Sequence, residues 1–169
     1  MARNERNNNR EVNSELQKKT VGVNRVDRVT KGGRKSRFSA IVVCGDGKNK
    51  IGMGMSKNKE VAAAVDKAGK KAEKQMITFP IVNDTIPHQV IGTFGRGKVL
   101  LLPAQEGVGV IAGGPVRAVL ELTGIKNIRA KCIGTTNKVN CIKATLNALE
   151  NLRTAEEVAE TRNKNVSDL

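Results

Sequence analysis

The chain has 169 residues, 38% of them apolar but only 2% aromatic, with neither Trp nor Tyr, and a formal net charge of +14. That length suits one medium domain or two small ones, with a thin core built from Val, Ile, Leu, Ala and Met. No run of 18 apolar residues exists, which excludes a membrane-spanning helix, and one His with three scattered cysteines (Cys44, Cys132, Cys141) leaves too few ligands for a zinc site.

The charge asks for a polyanionic partner, nucleic acid ahead of an acidic membrane surface. Residues 1–80 hold 19 Lys/Arg against 8 Asp/Glu and residues 81–169 hold 11 against 8, so the polyanion is expected to meet mainly the first half. The cysteines sit in apolar or helical stretches and read as small buried hydrophobes in a reducing compartment. The N-terminus lacks a signal-peptide apolar core and contains Glu5, Glu11 and Glu15, so a cytoplasmic protein is expected.

Taken in order, residues 1–20 are polar and read as a basic tail, disordered when free. Residues 21–31 form a first strand, with a bulge expected near Asp27 where the valine phase breaks. Phe38 to Cys44 is a stronger strand: Phe38, Ala40, Val42 and Cys44 point one way, Ile41 and Val43 the other. Gly45-Asp46-Gly47-Lys48 makes a hairpin turn into a third strand, Lys50 to Met55. Residues 58–76 form a helix capped by Asn58 or Ser56, with Val61, Val65, Ala68 and Ala72 as its buried stripe. Lys67, Lys70, Lys71 and Lys74 run beside that stripe, and a solvated face and an RNA contact fit them equally.

Phe79-Pro80 through Asp84 marks a boundary. Beyond it the sequence predicts a strand from Thr85 to Ile91, a glycine-rich turn from Gly92 to Lys98, and an apolar strand from Val99 to Leu102. A short helix from Pro115 to Leu122, a strand from Ile128 to Ile133 and a helix from Asn137 to Leu152 follow. The expected organisation is a 1–20 tail, a 21–80 RNA-binding domain, an 81–152 C-terminal α+β domain and a 153–169 polar tail or marginal helix. The fold class is α+β in two small domains: a three-stranded antiparallel sheet with one helix, then a sheet with two helices.

The candidate binding element is the hairpin around Gly32-Gly33. It carries Arg25, Arg28, Lys31, Arg34, Lys35 and Arg37 against the single anion Asp27. Its glycines can take positive φ and let backbone N–H groups approach a phosphate, flanked by Lys31 and Arg34. Lys57, at the end of the third strand region, joins this set. Stacking aromatics are missing, so structured RNA read through phosphates and shape fits better than single strands.

Two glycine motifs invite other readings. Gly107-x-Gly109-x-x-Ala112 has a dinucleotide-fingerprint outline, but the preceding strands look antiparallel and no acidic residue ends the next strand. A loop that lies close over the sheet and offers a flat surface to a partner fits it better. Gly52-Met53-Gly54-Met55-Ser56-Lys57 lacks phosphate-loop spacing and reads as strand plus helix cap. His88 stands beside Pro87 with no nucleophile at a diagnostic spacing, so a structural or interface histidine is expected. No catalytic residue, cofactor or metal is expected.

Several motifs, in order, carry a resemblance. They are Val23-Asn24-Arg25-Val26, Lys31-Gly32-Gly33-Arg34, Phe38-Ser39-Ala40, Gly45-Asp46-Gly47, Glu106 through Gly114, and Val116-Arg117-Ala118-Val119-Leu120-Glu121. Between about residues 20 and 152 the chain resembles the bacterial-type small-subunit ribosomal protein five family. The resemblance implies an N-terminal domain similar to a double-stranded-RNA-binding domain lacking its first helix, followed by a C-terminal α+β domain. It implies a non-enzymatic structural role: binding small-subunit rRNA, helping form the region where mRNA enters, and contacting ribosomal proteins four and eight. The hairpin Arg25 to Arg37 would be the RNA finger, near the spectinomycin site, with Asp27 where relatives often have a small hydroxyl residue. Gly107, Gly109, Gly113, Gly114 and Arg117 would face ribosomal protein four, at an interface linked to decoding accuracy. No homo-oligomer is expected. The alternatives are a stand-alone double-stranded-RNA binder and a nucleotide-using enzyme built on Gly107 to Gly114.

Overall fold

The unbroken apolar run from Ala40 to Cys44 means that the second strand must bury both faces, and the molecule supplies two cores for it. The computed structural model describes residues 16–165. Eight strands and four helices follow one another: β1 (Gln17–Thr30), β2 (Gly33–Gly45), β3 (Lys50–Asn58), α1 (Val61–Lys74), β4 (Met76–Thr78), β5 (Val90–Phe94), β6 (Gly97–Pro103), β7 (Val110–Ile111), α2 (Gly114–Leu120), β8 (Ile128–Ile133), α3 (Lys138–Glu150) and α4 (Ala155–Arg162). The fold is α+β. The first sheet runs β1-β2-β3-β4 and the second β5-β6-β8-β7. The three expected N-terminal strands are joined at the β3 edge by the short β4, antiparallel to it.

One face of β2 packs Ala40, Val42 and Cys44 on Ala64, Ala68 and Ala72 of α1. Small side chains bring the helix close, and Gly52 and Gly54 of β3 complete that approach. A Cβ on Gly54 would stand 2.0 Å from the Ala68 carbonyl oxygen, and one on Gly52 2.2 Å from that of Ala72. These glycines therefore serve helix–sheet packing. The other face of β2 gives Ile41 and Val43, with Ile51 of β3, to a larger core shared with Val99, Leu101, Leu120, Ile128 and Ile142. The two sheets are thus joined through one apolar interior.

Several local expectations shift. β1 begins at Gln17, four residues inside the expected tail, while residues 1–15 lie outside the described residues. Its irregularity falls between Thr20 and Gly22, not near Asp27. Helix α1 starts at Val61 after Glu60, whose side chain makes no capping bond; Asn58 still belongs to β3 and Ser56 is buried in it. Val61 is consequently exposed and Ala64 takes its place in the buried stripe. The strand expected from Thr85 starts only at Val90, because Asn83 and Asp84 adopt left-handed φ of 50° and 59° and close a local bridge between Val82 and Thr85. The turn expected over Gly92 to Lys98 contracts to Gly95-Arg96. Helix α2 runs from Gly114 to Leu120, and the chain then turns through Gly124 at φ +81°. Asn137 caps α3, its side chain accepting from the Val139 N–H. The polar segment after residue 153 contains α4, closed by a reciprocal Thr154–Glu157 capping box. Cys44 and Cys141 are buried, but Cys132 is only half-buried.

Candidate nucleic-acid interface

Register sorts the hairpin cations onto two faces. Pairing runs Arg25↔Phe38, Val26↔Arg37, Asp27↔Ser36, Arg28↔Lys35 and Val29↔Arg34, and directly paired residues share a face. Arg28, Lys35 and Arg37 therefore lie together. Ser39, on the same face as Arg37, pairs with Lys57 of β3. These four exposed cations line a groove of about 370 Å³, with Val26 and Asp27 completing its wall.

Arg25 and Arg34 lie on the opposite face, the one that continues into Phe38 and Ala40. There Arg25 donates to the Ser36 hydroxyl from its Nε (3.3 Å) and from a terminal nitrogen (2.8 Å), and its Nε stands 3.5 Å from the Asp27 carboxylate. Asp27 thus offsets Arg25 and leaves most of the groove charge unopposed.

The tip is narrower in its demands than the double glycine suggests. Only Gly33 needs a glycine conformation, at φ +121°; Gly32 lies outside the left-handed region. Both have open space where a Cβ would go. The Thr30 hydroxyl donates to the Gly33 carbonyl and steadies the turn, which leaves Lys31 exposed at the end. The β2–β3 pairing ends at Phe38↔Asn58, so among the described strands residues 26–36 pair only with each other, and none of them belongs to either core.

Other cations are partly engaged. In the lysine stripe of α1, Lys71 donates to the Met55 carbonyl at 3.3 Å, while Lys67, Lys70 and Lys74 are exposed. Lys18 pairs with Glu73 at 2.5 Å, and this hydrogen bond raises its ammonium above the ordinary value. Lys19 bonds Glu121, which also accepts from Arg117 at 2.8 Å; Lys19 first and Arg117 second hold that carboxyl below its usual range. Lys18 and Lys19 were not foreseen as structural, because the outer end of an edge strand carries no apolar alternation to announce it.

The glycine segment before α2 divides in the same way. Gly107 and Gly109 hold φ of +87° and +74°. The Gly109 N–H donates to the Asn127 side chain and its carbonyl accepts from the Ile128 N–H, which docks the loop on β8. Gly113 and Gly114 have no positive φ, and a Cβ would meet only ordinary contact at the first and open space at the second. His88 ties two segments: its Nε2 accepts from the Arg153 N–H at 3.2 Å, and its Nδ1 lies 2.9 Å from the Gln89 carbonyl. That is the structural histidine expected.

Comparison with known families decides the class. Residues 16–80 match the family model for "Ribosomal protein S5, N-terminal domain", and residues 92–162 match that for "Ribosomal protein S5, C-terminal domain". The chain belongs to the ribosomal protein S5 family. It is thereby a ribosomal protein of the small subunit, and the S5 family is a structural, non-enzymatic component of the ribosome, cytoplasmic in bacteria. Both S5 domains follow one another in a single chain, which disfavours the stand-alone RNA binder and the nucleotide enzyme alike. In S5 terms, the groove lies within the N-terminal match and the glycine segment within the C-terminal one.

Proposed function

We propose that the chain binds structured small-subunit rRNA through the β1–β2 hairpin, with Arg28, Lys35, Arg37 and Lys57 as the main phosphate contacts. Arg25, Lys31, Arg34 and the backbone of Gly32 and Gly33 act at the opposite face and the tip. The observation that carries this reading is the cation-lined groove on a segment that belongs to neither core. A hairpin kept only for packing has no need of three cations on one face beside a fourth from β3, where they repel each other and weaken the fold. A phosphate backbone relieves that repulsion, releases counterions and makes binding salt-dependent. The test titrates purified chain against small-subunit rRNA over a range of KCl. The variant R28E/K35E/R37E is expected to bind more weakly at every salt and to lower the log–log salt slope by about 3, roughly 1 for each lost contact. An unchanged slope would remove the groove from the interface.

The segment Gly107, Gly109, Gly113, Gly114 and Arg117 forms a protein contact with a small-subunit neighbour, ribosomal protein four, with ribosomal protein eight contacted elsewhere. Through it the chain contributes to the region where mRNA enters and to translational accuracy. Gly113 and Gly114 favour this reading, because neither conformation nor internal space requires glycine at them, whereas close approach of a partner does. Gly114→Val is expected to leave the melting temperature within about 2 °C, as for a surface change of no more than ~0.5 kcal/mol. It is also expected to weaken association with ribosomal protein four and alter misreading of a reporter codon. Normal association and normal misreading would refute it.

A further inference from the structure

Among the described residues, the second sheet is covered on one side only. Its inner face, with Gly92, Val99, Leu101 and Ile128, lies against α3 and the shared core; a Cβ on Gly92 would stand 2.0 Å from the Ala144 carbonyl oxygen. Strand alternation puts the intervening residues on the outer face. There Ile91, Ile111 and Ile133 are 54%, 54% and 50% exposed. Register sets Lys98 directly beside Ile133, Arg129 beside Ile111, and Leu100 between Ile91 and Lys131. A solvated antiparallel face carries polar residues at these positions. This one carries aliphatic side chains interleaved with three cations, and no carboxylate stands on its strands.

We propose that this outer face docks an acidic protein surface, one whose carboxylates surround exposed aliphatic side chains. The isoleucines supply the apolar centre, and Lys98, Arg129 and Lys131 choose the sign of the partner's rim. An RNA backbone fits poorly, because its phosphates would be desolvated against isoleucine and no aromatic ring offers a stacking platform. A second copy of the chain fits poorly as well, since two such faces would oppose three cations to three. At the β7 edge, where Ile111 lies between Gly109 and Gly113, the inference rests on the ribosomal protein four reading; Ile91 at the opposite edge of the sheet tests it apart from that contact, and neither requires the hairpin to bind RNA.

The experiment places p-benzoylphenylalanine at Ile91 or Ile111, on separate strands, in the full chain assembled into small subunits in cells. Purified subunits are irradiated, and the adducts are treated with nuclease or protease. The expected result is a protein adduct from both positions, mapping to a segment where Asp or Glu flank an aliphatic residue. In the background K98E/R129E/K131E its yield is expected to fall at least fivefold, with incorporation into subunits unchanged. If that background does not assemble, Lys131→Glu alone is expected to lower the yield about threefold. A nuclease-sensitive adduct, an adduct with a second copy of the chain, no adduct from Ile91 (an adduct from Ile111 alone being what the glycine-segment contact by itself would give), or a yield indifferent to the charge reversals would overturn the proposal.

Discussion

At Gly54 the missing side chain is what lets α1 lie on the sheet. An added Cβ would sit 2.0 Å from the Ala68 carbonyl oxygen and 2.7 Å from the Ala72 nitrogen, both backbone atoms that move only if the helix moves. Gly54→Ala is therefore expected to destabilise the chain by about 3 kcal/mol, the upper part of the usual overpacking range. The hairpin-tip glycines behave differently, although the sequence makes all of them look alike. Gly32→Ala meets open space at an ordinary φ and is expected to change stability by no more than ~0.5 kcal/mol. Gly33→Ala is strained at φ +121° and is expected to cost about 1–3 kcal/mol. Urea denaturation of the three variants gives the ranking directly, and equal costs at Gly32 and Gly54 would refute the packing account. The same difference shows where the RNA finger tolerates change: a side chain added at Gly32 meets nothing in the fold.

The β2–β3 hairpin is held by a single carboxylate. Asp46 Oδ1 accepts the N–H groups of Lys48, Asn49 and Lys50 at 2.9, 3.1 and 2.9 Å. Partial burial pushes this carboxyl up, but those donors outweigh it and hold the group below its ordinary value. A pKa lowered by folding means that the unfolded chain binds the proton more tightly. The stabilisation is complete above the ordinary carboxylate value near ~4 and is lost as pH falls through the lower folded value. Asp46→Ala is expected to cost about 1–3 kcal/mol at pH 7 and to flatten the fall in stability below about pH 4. Thermal melts from pH 3 to 7 check it, and a variant with the acid slope of the parent chain would be evidence against it. This turn was legible in the sequence as Gly45-Asp46-Gly47, as were the alternation of Phe38 to Cys44 and the Asn137 cap, because each signal is local. The delayed start of β5 was not, because it depends on two left-handed residues, Asn83 and Asp84, whose composition also suits an ordinary loop. In the candidate interface the cations were legible, but their division was not. Which face Arg28 or Arg25 occupies depends on a register set by the turn, and Lys57 reaches the groove only through its strand pairing.

At the scale of the molecule, the boundary between the two sheets is packed into a single apolar core. Ile41, Val43 and Ile51 from the first sheet share a core with Val99, Leu101 and Ile142 from the second half. Hydrogen bonds reinforce this: the Gly47 N–H donates to the Leu122 carbonyl at 3.2 Å, and the Lys138 ammonium donates to the Val21 carbonyl at 3.3 Å. Gly45 and Gly124 allow that approach, since a Cβ on Gly45 would stand 2.2 Å from the Leu122 oxygen and one on Gly124 2.1 Å from the Gly47 oxygen. Small interfaces between domains are polar and permit relative motion, whereas a buried aliphatic interface couples the halves. A single cooperative unfolding transition is expected in calorimetry, with calorimetric and van't Hoff enthalpies in agreement. Gly45→Ala is expected to lower that transition as a whole or split it into two, because the added Cβ separates the halves before it disturbs either sheet. Excised residues 16–80 are expected to bind a hydrophobic dye strongly, exposing the β2 face that Ile41 and Val43 occupy. Two separate transitions in the intact chain, unchanged in Gly45→Ala, would show that the shared core does not couple the sheets. Coupling matters for the ribosomal role because it fixes the groove on the first sheet at a constant position relative to the outer face of the second. Surfaces on both halves can then meet partners at set places in one assembled particle, without a separate ordering step for each.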